Sequence, residues 1–234
     1  MSDPLSPSEA LVRELYRISA DYAAGFEDQL DRLLRAGCER LELELGIVAR
    51  VEEQDYTVLR ARSPEDAVAP GAKFRLSDTY CEATLRAAGP VGFECAGESE
   101  WHTHPAYAAF KLESYLGTPI RVADRAWGTL NFSSFASRPR KWAPRDLDSI
   151  QLMAAWIGAE LQRQQIEQEL RAALAQVKTL EGLLPICAAC KKIREQGEDG
   201  STAWTQVETY VTRRTHAVFS HGMCPDCAEE WLAT

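Results

Sequence analysis

No apolar run in the 234 residues approaches the ~18 consecutive positions that a membrane-crossing helix needs, which disfavours a membrane bundle. Basic side chains are also scarce. The 26 Lys and Arg against 35 Asp and Glu leave a formal net charge of −9, which repels nucleic-acid phosphates and anionic lipid headgroups. The opening residues MSDPLSPSEALVRELY lack the basic patch and apolar core of a secretory signal, so a cytoplasmic protein is expected, with neither membrane nor nucleic acid as partner. The stretch after the last long helical pattern is only about 50 residues, below the size of most catalytic domains. It leaves no room for a kinase core, a nucleotide-phosphate loop or a cyclase segment, and no enzymatic activity is expected. What is present, 45% hydrophobic and 26% charged residues, suits a soluble globular chain able to bury a core. At ~150 residues per domain the length predicts about 1.6 domains, one of sensor size and one smaller.

The pattern along the chain predicts helix, then strands, then helix, an α+β outline. Ser6 and Pro7 suit a helix start, and Val12, Leu15 and Ile18 follow at threes. After Gly25, Phe26, Leu30, Leu33, Leu34 and Leu41 recur at mostly three and four, one core-facing helix face. Leu45 to Val51 and Tyr56 to Ala61 read as a hairpin turning at Glu53-Gln54-Asp55. Ser77 and Asp78 are placed to cap a short helix that stops at Gly89-Pro90, and Val91 to Cys95 reads as a strand. Gly97 to Leu112 is too long and aromatic for a turn and is expected to be a loop and short helix over a cavity. Two strands follow, Ser114 to Val122 and Ala126 to Ser133, and from Pro144 to about Leu184 the pattern is helical, with Asp146 and Asp148 in the first turn. Ile166, Leu170, Ala173, Val177, Leu180 and Leu184 step by four and three, a heptad seam. The seam predicts a coiled coil and a homodimer; a helix folded back on its own domain would show the same spacing.

Four stretches resemble the GAF domains of bacterial signalling proteins: LSDTYCEATLRAAGPV (Leu76 to Val91), THPAYAAFKLESYLGTPIRV (Thr103 to Val122), WGTLNFSS (Trp127 to Ser134) and DLDSIQLMAAWIGAELQR (Asp146 to Arg163). The resemblance covers roughly residues 10 to 163 and implies an antiparallel sheet of five or six strands, with helices on one face and a loop-covered pocket on the other. It names no ligand, because the fold hosts cyclic nucleotides, bilins, haem, small metabolites or nothing. The candidate pocket residues are Cys81, Cys95, Trp101, His104, Tyr107, Phe110, Tyr115 and Thr129. Against a thioether-bound bilin, Cys81 is followed by Glu82 rather than histidine, and a small apolar core residue is the plainer reading of that cysteine. His102 and His104 could ligate haem or bind an anion, but loop histidines beside Pro and Trp more often serve as caps and packing groups. One GAF-fold family reduces free methionine sulfoxide with cysteine thiolates, and Cys81 with Cys95 would be nucleophile and resolving thiol; that family's third cysteine has no counterpart between Ala96 and Gly117.

The remaining cysteines cluster. LLPICAACKKIR (Leu183 to Arg194) and FSHGMCPDCAEEWL (Phe219 to Leu232) carry two CxxC pairs, Cys187 with Cys190 and Cys224 with Cys227, separated by 33 residues. Two such knuckles complete a tetrahedral four-sulfur shell with no open position, which predicts structural zinc in a treble-clef or zinc-ribbon unit. Pro225 suits the first turn of a helix after the second pair, and a hairpin is expected around Gln196 to Ser201. His221 as a replacement ligand and a dithiol redox switch stay open. From Gly182 to Thr234, five basic residues face seven acidic ones, against a nucleic-acid ribbon and in favour of a protein partner. The stretch also resembles a cysteine module attached to bacterial GAF, PAS and receiver proteins. The whole predicts a GAF sensor over 10–163, a coiled-coil helix over 164–184 and a four-cysteine zinc module over 185–234, joined as a signal-transduction protein that senses a small ligand or redox state.

Overall fold

A computed structural model describes residues 7–21, 23–176, 184–196 and 201–233. The chain divides into two compact units, Met1–Gln165 and Ile166–Thr234. The first holds helices α1 (Pro7–Ala20) and α2 (Phe26–Leu41), then strands β1 (Leu45–Glu52), β2 (Asp55–Arg62) and β3 (Lys73–Arg75). Helix α3 (Cys81–Arg86), β4 (Val91–Phe93), α4 (Pro105–Phe110), β5 (Ser114–Val122) and β6 (Arg125–Ser134) follow, and α5 (Pro144–Gln176) starts in this unit. The six strands form one antiparallel sheet in the order β3-β2-β1-β6-β5-β4, the α+β sheet that the resemblance implied.

Side chains alternate across this sheet, so each central strand feeds two cores. Val48 of β1, Leu116 and Ile120 of β5, and Leu130 and Phe132 of β6 point to one face. There they meet Leu30, Leu33 and Leu34 of α2 and Ile150, Met153 and Ile157 of α5, all fully buried. The helix spacing read after Gly25 is thus a real buried stripe. Close packing depends on Gly37, where a Cβ would stand 2.1 Å from Phe132 Cζ. The opposite face carries Ala49, Tyr56, Val58, Phe93 and Tyr115, covered by Tyr80 and Cys81 and by Ala106 of α4.

The start of α5 is anchored electrostatically. Asp146 is fully buried; its Oδ2 accepts the Ala143 N–H at 3.1 Å, capping the helix, and Arg40, Arg138 and Arg140 approach its carboxylate at 3.4, 3.7 and 3.8 Å. Arg138 also donates to Leu41 O at 2.6 Å, which ties the end of α2 to the segment preceding α5. Along α5, Ile150, Met153, Ala154 and Ile157 are buried whereas Ile166, Leu170 and Leu174 are exposed. Val177 and Leu180 of the heptad seam lie outside the described residues, and Leu184, the last seam position expected, is described and is not helical. No helix among the described residues is long and apolar enough to cross a membrane.

Two expectations need correction. The helix expected to start at Ser77 starts at Cys81, because Leu76–Asp78 closes into a 3-10 turn and Thr79 is extended; Tyr80 precedes the helix without a side-chain cap. Strand β3 was not foreseen. The second unit contains the hairpin β7 (Ile193–Gln196) and β8 (Thr202–Thr205), then α6 (Val207–Arg214) and α7 (Pro225–Leu232), around buried Ile193 and Tyr210. Residues 197–200 of the expected hairpin turn lie outside the described residues.

Candidate functional site

The sheet face away from the α2–α5 layer holds a cavity of about 270 Å³. Leu45 and Ile47 of β1, Tyr56 of β2, Phe74 of β3, Tyr115 of β5, and Asn131 and Ser133 of β6 line it from the sheet. Thr79, Tyr80 and Cys81 close one side. Ala67 and Val68 close another, and Ala106, Phe110, Leu112 and Phe135 complete it. The segment predicted to cover a cavity does so, with α4 as its short helix.

Polar atoms gather where α3 meets the sheet. Asn131 Nδ2 donates to Tyr56 OH at 3.2 Å and to Cys81 Sγ at 3.4 Å. Cys81 Sγ lies 3.6 Å from Tyr56 OH and 3.5 Å from Tyr115 OH, and Tyr115 OH shares a 2.7 Å hydrogen bond with Thr84 Oγ1. Burial pushes both tyrosine hydroxyls well above their ordinary range, and the neighbouring Cys81 adds to the shift, so both stay protonated at neutral pH. Cys81 is therefore more than an apolar filler, because it sits at the centre of a buried polar cluster. Thr129 Oγ1 is buried beside Tyr56 and makes no full hydrogen bond.

Of the residues expected to line a pocket, Cys81, Phe110 and Tyr115 meet in this cavity, and Thr129 lies buried next to it. The other four form a second group outside the lining. His104 Nδ1 accepts the Ala106 N–H at 3.1 Å and caps α4, which requires a neutral imidazole. Burial lowers its pKa in the same direction, against the raising influence of Glu82 and Asp78. Trp101 stacks on Phe93 with ring centroids 5.0 Å apart and meets Tyr80 edge-on. Tyr107 OH donates to Glu113 Oε1 at 2.6 Å, while Glu113 Oε2 accepts from Gly97 N–H at 3.0 Å and from Cys95 Sγ at 3.6 Å. These contacts, the Tyr107 hydroxyl first, hold the Glu113 carboxyl below its ordinary value. They clasp α4 to the start of β5. Among the described residues Cys81 and Cys95 share no hydrogen-bond partner, Cys95 receiving instead the Ser137 hydroxyl at 3.2 Å. Tyr56, Asn131 and Ser133 were not anticipated.

The match to the GAF domain family spans residues 25–161. The chain belongs to the GAF domain family. No curated protein matches it in sequence. Among solved structures, this GAF domain is similar to the phycoerythrobilin-bound GAF domain from a cyanobacterial phytochrome, at 14% identity and a TM-score of 0.57 over 71% of this chain and 100% of that one. It is similar to the GAF domain of a phosphoenolpyruvate-protein phosphotransferase from Coxiella burnetii, at 16% identity and 0.55 over 73% and 99%. It is also similar to the free methionine-R-sulfoxide reductase of Neisseria meningitidis in complex with its substrate, at 12% identity and 0.54 over 70% and 96%. At these identities the likeness is one of fold.

In the second unit the cysteine pairs take two local shapes. Cys190 N–H points to Cys187 Sγ at 3.5 Å, Cys187 N–H donates to Lys192 O at 2.9 Å, and Lys191 turns the chain with φ of 60°. This is a knuckle, and its amides favour the Cys187 thiolate. Cys224 is the N-cap of α7 with Pro225 in the first turn, and the Cys227 N–H favours the Cys224 thiolate. A knuckle, a hairpin and a helix that starts at the second pair suit a treble-clef donor set. Among the described residues no three His, Cys, Asp or Glu side chains already converge as one shell.

Proposed function

We propose that this protein is a signal-transduction sensor without catalytic activity of its own: the GAF cavity binds a small molecule, α5 pairs with α5 of a second copy, and the cysteine module contacts a downstream protein. One observation carries the reading. Helix α5 contributes Ile150, Met153 and Ile157 to the core beneath the sheet, then continues unbroken to Ile166 and Leu170, the first two positions of the heptad seam, which are 55% and 57% exposed, with Leu174 exposed beside the seam position Ala173. Large apolar residues at that spacing on an exposed helix suit a partner helix. A ligand that shifts the sheet biases the same helix that would form the dimer.

The cysteine module is proposed to hold one structural zinc through Cys187, Cys190, Cys224 and Cys227, whose thiolates supply four soft donors. Zinc would contribute folding energy to a unit whose Val218, Met223, Trp231 and Leu232 are more than 60% exposed. His221 remains the one alternative ligand. The location proposed is cytoplasmic, where reduced thiols favour metal over disulfides. The reductase reading keeps Cys81 and Cys95 as its thiols, but their separate hydrogen-bond partners favour the sensor.

The direct test is sedimentation equilibrium of the full chain beside Leu170→Glu. A dimer that dissociates in the variant supports the reading, and a monomeric wild type overturns it.

A further inference from the structure

Resting on that reading of the cavity as a ligand site, we propose that its ligand is an uncharged molecule of one ring or two fused rings, carrying a single hydroxyl, amide or carbonyl group. Three observations converge on this class. Among the described residues the lining contains no Lys, Arg, His, Asp or Glu, so an ionised ligand would leave water for a wall that offers no counter-charge. The polar atoms that are present sit together. Tyr56, Cys81, Tyr115 and Asn131 are linked by contacts of 3.2–3.6 Å, and Ser133, two residues along β6 from Asn131 and 1% exposed, lines the same cavity without joining that cluster. A ligand's one polar group therefore has a defined place at Asn131 and Ser133, and its ring lies among Phe74, Phe110 and Phe135. Phe110 and Phe135 are 38% and 50% exposed and mark the mouth.

Size sets the rest. An apolar cavity of about 150 Å³ holds a benzene ring, and drug-sized ligands occupy roughly 300–1,000 Å³. At about 270 Å³ this cavity exceeds the first and falls below the second range. A tetrapyrrole is too large for it, and a nucleotide phosphate would be both too large and unpaired. Because burial keeps the tyrosine hydroxyls protonated, the cluster offers neutral donors and acceptors across the physiological pH range.

The test uses the purified full chain and four ligands of one shape: benzamide, benzoate, benzylammonium and toluene, titrated by calorimetry at pH 7. Benzamide is expected to bind at least ~10-fold more tightly than either ion. Val68→Trp, which fills the cavity from its wall, should abolish that binding, and Ser133→Ala should narrow the preference for benzamide over toluene. Ala67→Phe, at an exposed lining position, serves as a second blocking variant should Val68→Trp fail to fold. Equal or tighter binding of benzoate or benzylammonium, lost in a blocking variant, overturns the ligand class and leaves the cavity reading intact. If no probe binds, or binding survives both blocking variants, the cavity reading falls and the proposal with it.

Discussion

Tyr115 lies along β5 with its hydroxyl directly over Gly117, where a Cβ would stand only 2.2 Å from the Tyr115 oxygen. The absent side chain lets that hydroxyl reach Thr84 Oγ1 at 2.7 Å and Cys81 Sγ at 3.5 Å, which joins α3 to the sheet beside the cavity. The glycine of the GTPI stretch is thus required by its neighbour's ring. Gly117→Ala is expected to destabilise the domain by about 1–3 kcal/mol, since overpacking displaces a buried ring and its hydrogen bonds. A urea midpoint read by far-UV circular dichroism measures it, and an unchanged midpoint would show that the ring has room to move.

Asp146→Asn keeps the shape of the α5 cap but removes the carboxylate that Arg40, Arg138 and Arg140 all approach. Leaving buried guanidinium charge uncompensated costs about 3–5 kcal/mol. Equilibrium unfolding should show a loss of that size; a loss below ~1 kcal/mol would mean that water already screens the cluster.

The clasp of α4 should weaken in acid. The folded pKa of Glu113 is depressed, so the stabilisation from its carboxylate is present above the ordinary carboxylate value and lost as pH falls through the depressed one. Trp101 fluorescence followed from pH 7 to 3 should report a transition below pH 4.5, the reference value, that is absent in Glu113→Gln. The same transition in both proteins would assign it to another group.

Most of the fold could be read because its elements are long and strongly periodic. Ser114 to Val122 runs between the ends expected of it, and the hairpin strands differ from theirs by one residue at each displaced end. Strand β3, with three residues in an edge position, is too short to show a period. The candidate site was harder to read. In β6, Thr129, Asn131 and Ser133 alternate with Leu130 and Phe132, a pattern that in an open antiparallel sheet assigns the polar set to water. Here α3 and α4 cover that face, so Asn131 and Ser133 become part of the inner wall of a cavity and Thr129 is buried beside it. Coverage by distant segments leaves no mark on the strand's own sequence. His104 caps α4, the role that loop histidines beside Pro and Trp most often take, whereas Tyr107, an aromatic side chain in a covering loop, clasps that loop instead of lining the cavity.

Metal content separates the zinc reading from a dithiol reading. The reduced protein should contain one zinc per chain, and Cys187→Ser should lose it while the GAF domain keeps its own unfolding transition. Zinc retained in full by Cys187→Ser would remove that cysteine from the proposed set.

Native mass spectrometry of the freshly purified full chain tests the central claim most directly, because it reports assembly and metal in one spectrum. The account predicts a dimer carrying two zinc ions, which becomes a zinc-loaded monomer in Leu170→Glu. A metal-free monomer of the wild-type chain would contradict it.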